Sequence, residues 1–121
     1  RTYSVTLAWS GFDETLRMIS TFEIDPPEDH HYSLYELLNL MNDQCWAGSF
    51  TYWKEQGLMV YRYGLVLTGG QVASAEQIDK LITNAVSACE RYYPALQLVA
   101  YGNNSPKDAL QVAIAEAYGR A

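Results

Sequence analysis

Hydrophobic and polar positions in this chain repeat with two periods, and the switches between them mark the elements. Tyr3, Val5, Leu7 and Trp9 alternate with Thr2, Ser4, Thr6 and Ala8, which is the two-residue period of a half-buried strand. Gly11-Phe12-Asp13-Glu14 supplies a turn. Leu16, Met18, Phe22 and Ile24 then resume the alternation, with Ser20 interrupting the apolar side. Two such runs joined by a short loop predict an antiparallel hairpin. Pro26 and Pro27 forbid strand pairing in the segment Asp25 to His31, so it reads as a linker across the sheet edge.

The period then lengthens. Leu34, Leu37, Leu38, Met41 and Cys45 recur at helical steps, and Ser33 with Glu36 has the spacing of a capping box, so a helix is expected from about Ser33 to Cys45. A second hairpin follows: Phe50 and Tyr52, a turn at Lys54-Glu55-Gln56-Gly57, then Met59, Tyr61, Tyr63, Leu65 and Leu67. Leu58, Val60 and Val66 make that longer strand apolar on both sides, which places it centrally in a sheet.

The strongest helical signal runs from Ser74 to Tyr93. Ile78, Leu81, Ile82, Ala85, Val86, Cys89 and Tyr93 share one side of a helix about five and a half turns long, and Ser74 with Gln77 reads as its capping box. Pro94 removes a backbone donor and crowds the carbonyl of Glu90, so an end or a kink is expected there. Beyond it, Leu96, Leu98 and Ala100 allow a strand, whereas Leu96, Val99 and Ala100 allow a helix; a kinked continuation is the expectation taken. Gly102-Asn103-Asn104 is a turn. Pro106 opens a short closing helix carrying Leu110, Ala113, Ile114, Ala117 and Tyr118. The order ββαββαα predicts one α+β domain over residues 1–121, an antiparallel sheet of four to five strands packed on one face by helices.

Composition narrows the function classes. Hydrophobic residues make up 49% and charged residues 18% of 121 positions, enough for a single packed core. A net charge of −6 leaves no basic stripe for phosphate, so a nucleic-acid partner is not expected. No apolar run reaches the length of a membrane span, so no membrane partner is expected either. The chain opens on Arg1 rather than Met and is read as trimmed at its N-terminus. Cys45 and Cys89 fall on apolar helix sides, as reduced buried thiols in a cytoplasmic protein would.

Candidate chemistry is sparse. His30-His31 beside Asp25, Glu28 and Asp29 lacks the spacing to converge on one ion, so no metal and no cofactor are expected. Gly69-Gly70 lacks the lysine and the glycine spacing of a phosphate loop. With both histidines in one loop, neither cysteine is given a neighbouring base, and no catalytic residue is assigned. Arg62 is a charge in an otherwise apolar strand, which requires a solvated face or a paired carboxylate. Asn39 and Asn42 share a helix face; with Arg91 they form a possible ligand pocket, against the plainer reading that one of them bridges to the sheet near Trp46 and Gly48. For Glu90-Arg91-Tyr92-Tyr93 a structural role is expected, with Tyr93 in the core and Tyr92 exposed.

The chain resembles the YbjN family of bacterial proteins. The carrying residues are Leu34-Tyr35-Glu36-Leu37-Leu38-Asn39-Leu40-Met41-Asn42, Trp46-Ala47-Gly48-Ser49-Phe50 with Trp53, Arg62, Gly69-Gly70, Cys89-Glu90-Arg91-Tyr92-Tyr93-Pro94-Ala95 and Ser105-Pro106-Lys107-Asp108-Ala109. The resemblance implies a fold similar to the type III secretion chaperones, a curved antiparallel sheet with helices on one face and often a dimer, and a role in sensory transduction without agreed catalytic residues. A non-enzymatic binding or regulatory module is therefore expected, holding a protein partner or a second copy through its sheet surface. The uncovered face is expected to carry Thr6, Arg17, Thr21, Thr51, Trp53 and Val60, with Trp53, Thr51, Arg17 and Tyr92 as partner-binding residues. The alternatives are a small-molecule sensor or small enzyme with a pocket at Asn39, Asn42 and Arg91, and a structural subunit of a larger assembly.

Overall fold

The computed structural model describes residues 1–119. Strands β1 (Ser4–Ser10) and β2 (Thr15–Glu23) form the first hairpin, and a 3₁₀ turn at Glu28–His30 leads into helix α1 (His31–Asp43). Strands β3 (Ser49–Trp53) and β4 (Leu58–Val66) form the second hairpin, followed by helices α2 (Ala75–Tyr101) and α3 (Pro106–Gly119). This is the expected ββαββαα order of an α+β fold. The sheet has four antiparallel strands in the order β1-β2-β4-β3. β4 lies between β2 and β3, as its two apolar sides predict.

Register divides the strand residues into two sets. Met18, Ser20 and Phe22 of β2 stand opposite Tyr63, Tyr61 and Met59 of β4, which in turn align with Phe50 and Tyr52 of β3. This set faces the helices. Leu34, Leu37, Leu38 and Met41 of α1, and Leu81, Ala85, Cys89, Tyr92, Leu96 and Val99 of α2, close over it in one core. Helix α3 adds Ala109, Leu110 and Ala113 from its place against α1 and α2. Every helix is thus on the same side of the sheet.

Helix α2 runs unbroken through Pro94 to Tyr101, which removes the strand alternative for residues 95–101. An interior proline costs a helix about 3 kcal/mol. Ala95, Leu96, Val99 and Ala100 beyond it are all buried, and a buried Leu or Val alone contributes about 1.5–3 kcal/mol. Burial outweighs the lost hydrogen bond.

The two capping boxes fare differently. At α2 both bonds form: the Gln77 amide donates to Ser74 Oγ at 3.1 Å, and the Ser74 amide to Gln77 Oε1 at 2.8 Å. At α1 the helix starts at His31, two residues before the expected Ser33, with no side-chain cap. One long-range contact and one local contact hold this start. His30 Nδ1 lies 2.9 Å from the Ala100 carbonyl and His31 Nε2 lies 3.2 Å from the Pro26 carbonyl, so the chain is pinned in helical geometry before Ser33 is reached.

Strand β1 departs from the half-buried pattern. Val5, Leu7 and Trp9 stand opposite Ser20, Met18 and Leu16, on the helix side of the sheet. They are nevertheless 37%, 39% and 55% exposed. The helices lie over β2, β4 and β3 and stop short of this edge.

Candidate functional site

The face opposite the helices is built by the complementary register. Across the four strands its rows read Ala8, Arg17, Gly64; then Thr6, Ile19, Arg62, Ser49; then Ser4, Thr21, Val60, Thr51; then Glu23, Leu58, Trp53. Thr6, Arg17, Thr21, Thr51, Trp53 and Val60, expected to share a face, do so. Small side chains at Ser4, Ala8, Ser49 and Gly64 keep the surface low, and the larger Arg17, Arg62 and Trp53 stand around it.

Those three residues bound a groove of about 620 Å³, whose lining also includes Asp13, Thr15, Ile19 and Ser49. Trp53 belongs to the last row by backbone register yet lines the groove together with Ile19 and Arg62, two rows away. Its indole therefore reaches back toward that row, and Val60, in the row between, is 0% exposed on an otherwise uncovered face. Arg17 Nη2 donates to Asp13 Oδ2 at 3.0 Å. That bond, helped by the Ser10 hydroxyl, holds the Asp13 carboxyl below its ordinary range. Arg62 is exposed and takes part in no ion pair among the described residues, so its charge is accommodated by solvent rather than by a carboxylate.

The other singled-out residues are placed elsewhere. Tyr92, expected exposed and partner-binding, is 2% exposed: its hydroxyl donates to Gln44 Oε1 at 3.0 Å and its ring packs edge-on against Phe50. It is a core residue and no partner can reach it. Tyr93, expected in the core, is only half-buried, against Phe22, with the Arg1 guanidinium 3.9 Å above its ring and paired with Glu90. The two tyrosines have exchanged roles because α2 turns the step after Cys89 toward α1 and β3.

Asn39, Asn42 and Arg91 do not form a pocket. Asn42 Nδ2 donates to the Phe50 carbonyl at 3.0 Å and its Oδ1 accepts from the Phe50 amide at 2.7 Å. Both ends of this amide tie α1 to the first rungs of β3, the bridging role that was the plainer reading. Asn39 is exposed on α1. Arg91 lines separate clefts on α2, beside Gln44 and Tyr118 on one side and Trp46 on the other.

Cys89 is fully buried, with its Sγ 3.9 Å from Ser20 Oγ, and burial pushes its thiol up to about 11. Cys45 is half-buried and likewise raised by burial. Both are free thiols. The two histidines contact backbone carbonyls rather than each other or a carboxylate. Among the described residues no group of three or more His, Cys, Asp or Glu is placed to hold a metal ion, and no helix is long and apolar enough to cross a membrane.

Of the groove residues, only Arg17 and Trp53 were assigned to a site from the sequence; Arg62, Ile19 and Asp13 are among those that were not. The signal for Arg62 was present, as a charge two residues from Val60 on the same strand face. Asp13 sits in a turn, and only the folded hairpin brings it to Arg17.

Comparison with known proteins places the chain. The YbjN family model, described as "Putative bacterial sensory transduction regulator", matches residues 1–98. No curated protein and no solved structure matches the chain. The chain belongs to the YbjN family.

Proposed function

Starting from that membership, we propose that the protein is a non-enzymatic regulatory module of the cytoplasm, with a chaperone-like fold, that holds a protein partner on the uncovered face of its sheet. The observation that carries this reading is the groove of about 620 Å³ bounded by Arg17, Arg62 and Trp53 on a face that no helix covers. Mixed aromatic, arginine and small polar residues suit a partner surface, where Trp and Arg are enriched as anchors. The absence of enzymatic chemistry is supported by the state of the candidate groups: Cys89 is buried with a raised thiol, and both histidines are engaged by backbone. A homodimer is the second form we propose, and the β1 edge favours it. Ser4–Ser10 carries no charge and no proline, the devices that keep an edge strand from pairing, and Val5, Leu7 and Trp9 are exposed beside it.

Trp53→Ala tests the main reading, with Trp46→Ala as control because Trp46 is 98% exposed and lies away from the groove. Capture of binding proteins from native lysate is expected to fall at least tenfold in Trp53→Ala and to persist in Trp46→Ala, with near-native far-UV circular dichroism in both. Equal capture by both variants would remove the sheet face from the reading. Light scattering of the purified protein reports the homodimer, and a dimer that Leu7→Lys dissociates is the outcome expected of the edge.

A further inference from the structure

The uncovered face carries more information than its openness, because its charges are unlike those of the whole chain. The protein has eight basic and fourteen acidic side chains. In the groove the balance is reversed: Arg17 and Arg62 face the open volume, and Asp13 is the one carboxylate among its lining residues. Asp13 accepts a single bond from Arg17 Nη2, which leaves the other donors of that guanidinium free to turn outward. Arg62 has no carboxylate within ion-pair distance among the described residues. Glu23 is on the same face but in the far row, level with Leu58 and Trp53, and does not line the groove.

We infer that the groove takes an acidic, extended segment of a partner protein, its carboxylates at alternate positions meeting Arg17 and Arg62 and its next apolar side chain meeting Trp53. This rests on the proposed use of the sheet face as a docking surface. The spacing comes from register. Arg17 stands opposite Gly64 and Arg62 opposite Ile19, so the two arginines form a diagonal pair on neighbouring strands, about 7–8 Å apart and somewhat closer between Cβ atoms. Side chains at alternate positions of an extended chain project from one side about 6.5–7 Å apart. The diagonal then continues toward Trp53, which lines the same groove as Ile19 and Arg62. Guanidinium groups grip carboxylates through paired N–H donors, so the arrangement selects acid over neutral polar side chains. A second copy stacked face to face about a two-fold axis through the groove is disfavoured, because an axis there would set the same arginines against one another.

The test uses the full chain carrying Trp9→Phe and Trp46→Phe, so that fluorescence reports Trp53 alone. The probes are three synthetic peptides of equal length and Val/Phe framework, with alternate positions occupied by glutamate, by glutamine or by lysine. The glutamate peptide is expected to bind saturably and shift Trp53 emission. It is expected to bind at least tenfold more tightly than the glutamine peptide, to weaken as salt rises, and to lose at least tenfold in affinity in Arg62→Glu. Arg62→Lys should retain part of that affinity, and thermal melts of both variants exclude unfolding as the cause. Glutamate and glutamine peptides that bind equally, with Trp53 responding, would overturn the acid preference while leaving the docking face intact. An unchanged affinity in Arg62→Glu would overturn it as well. No binding of any peptide, or binding that leaves Trp53 emission unmoved, would overturn the inference and the docking face together.

Discussion

At the scale of single residues, close approaches fix the join between helices and sheet. A Cβ at Gly48 would lie 2.4 Å from Tyr61 Oη and 2.8 Å from the Arg62 carbonyl, so the chain passes there only because it has no side chain. Asn42 then fastens Phe50 from both sides of its backbone. The buried thiol of Cys89 makes a prediction about pH. Its folded-state value of about 11 lies above the ordinary 9.0 of the free group. The unfolded chain therefore loses this proton first, so the stabilisation is complete below pH 9 and disappears as pH rises to about 11. The loss is about 3 kcal/mol for Cys89 alone. Tyr61 and Tyr92, also raised by burial, add to it above pH 10. Urea titrations at pH 8 and pH 10 should show a marked fall in unfolding free energy, and a smaller fall in Cys89→Ala. Equal falls in the two proteins would remove Cys89 as a source. The thiol's burial was legible in the sequence, from its place on the apolar stripe. The exchange of Tyr92 and Tyr93 was not. Both positions follow Cys89 at a helical step, three and four residues on, and only the placement of α1 and β3 decides which one is enclosed.

At the scale of elements, hairpins and helices could be read from period alone, and what escaped was how far each element reaches. β1 shows this best. Its alternation correctly puts Val5, Leu7 and Trp9 on the helix side, but alternation says which face a residue is on and not whether anything lies above it. The same face holds Met18, 1% exposed, beside Leu7, 39% exposed. Met18→Ala is accordingly expected to cost about 2–5 kcal/mol, whereas Leu7→Ala is expected to cost less than about 1 kcal/mol. Chemical denaturation of the two variants checks this. Similar large losses would mean that β1 is covered in solution. The start of α1 and the passage through Pro94 share one cause: local signals at Ser33 and Pro94 were outvoted by contacts from Ala100, Pro26 and the core. The contact with Ala100 and those in the core join residues far apart in the chain, and no local window contains them; the Pro26 contact spans only five residues.

For the whole molecule, one-sided roofing should produce a gradient of local stability. The 27 residues of α2 extend about 40 Å, and the nine residues of β4 about 30 Å, so the helix overhangs the sheet it covers. The overhang is at its beginning: positions 75–77, 79 and 80 are exposed, whereas Tyr92, Ala95, Leu96, Val99 and Ala100 are buried. Across the sheet, β2 and β4 are paired on both sides and roofed by helix, while β1 is paired on one side and bare above. Local opening costs least where few apolar contacts are lost. Native-state hydrogen exchange is therefore expected to rank the amides. Those of β2, β4 and the second half of α2 should exchange only through global unfolding, and those of β1 and the first two turns of α2 through smaller openings, at least tenfold faster. Uniform protection across β1 and β2 would show that a second chain or another segment covers the edge, and would favour the homodimer over the free module. Addition of a partner that fills the Arg17–Arg62–Trp53 groove should slow exchange in β2, β3 and β4 by more than in β1, because those three strands line the groove and β1 supplies none of its residues.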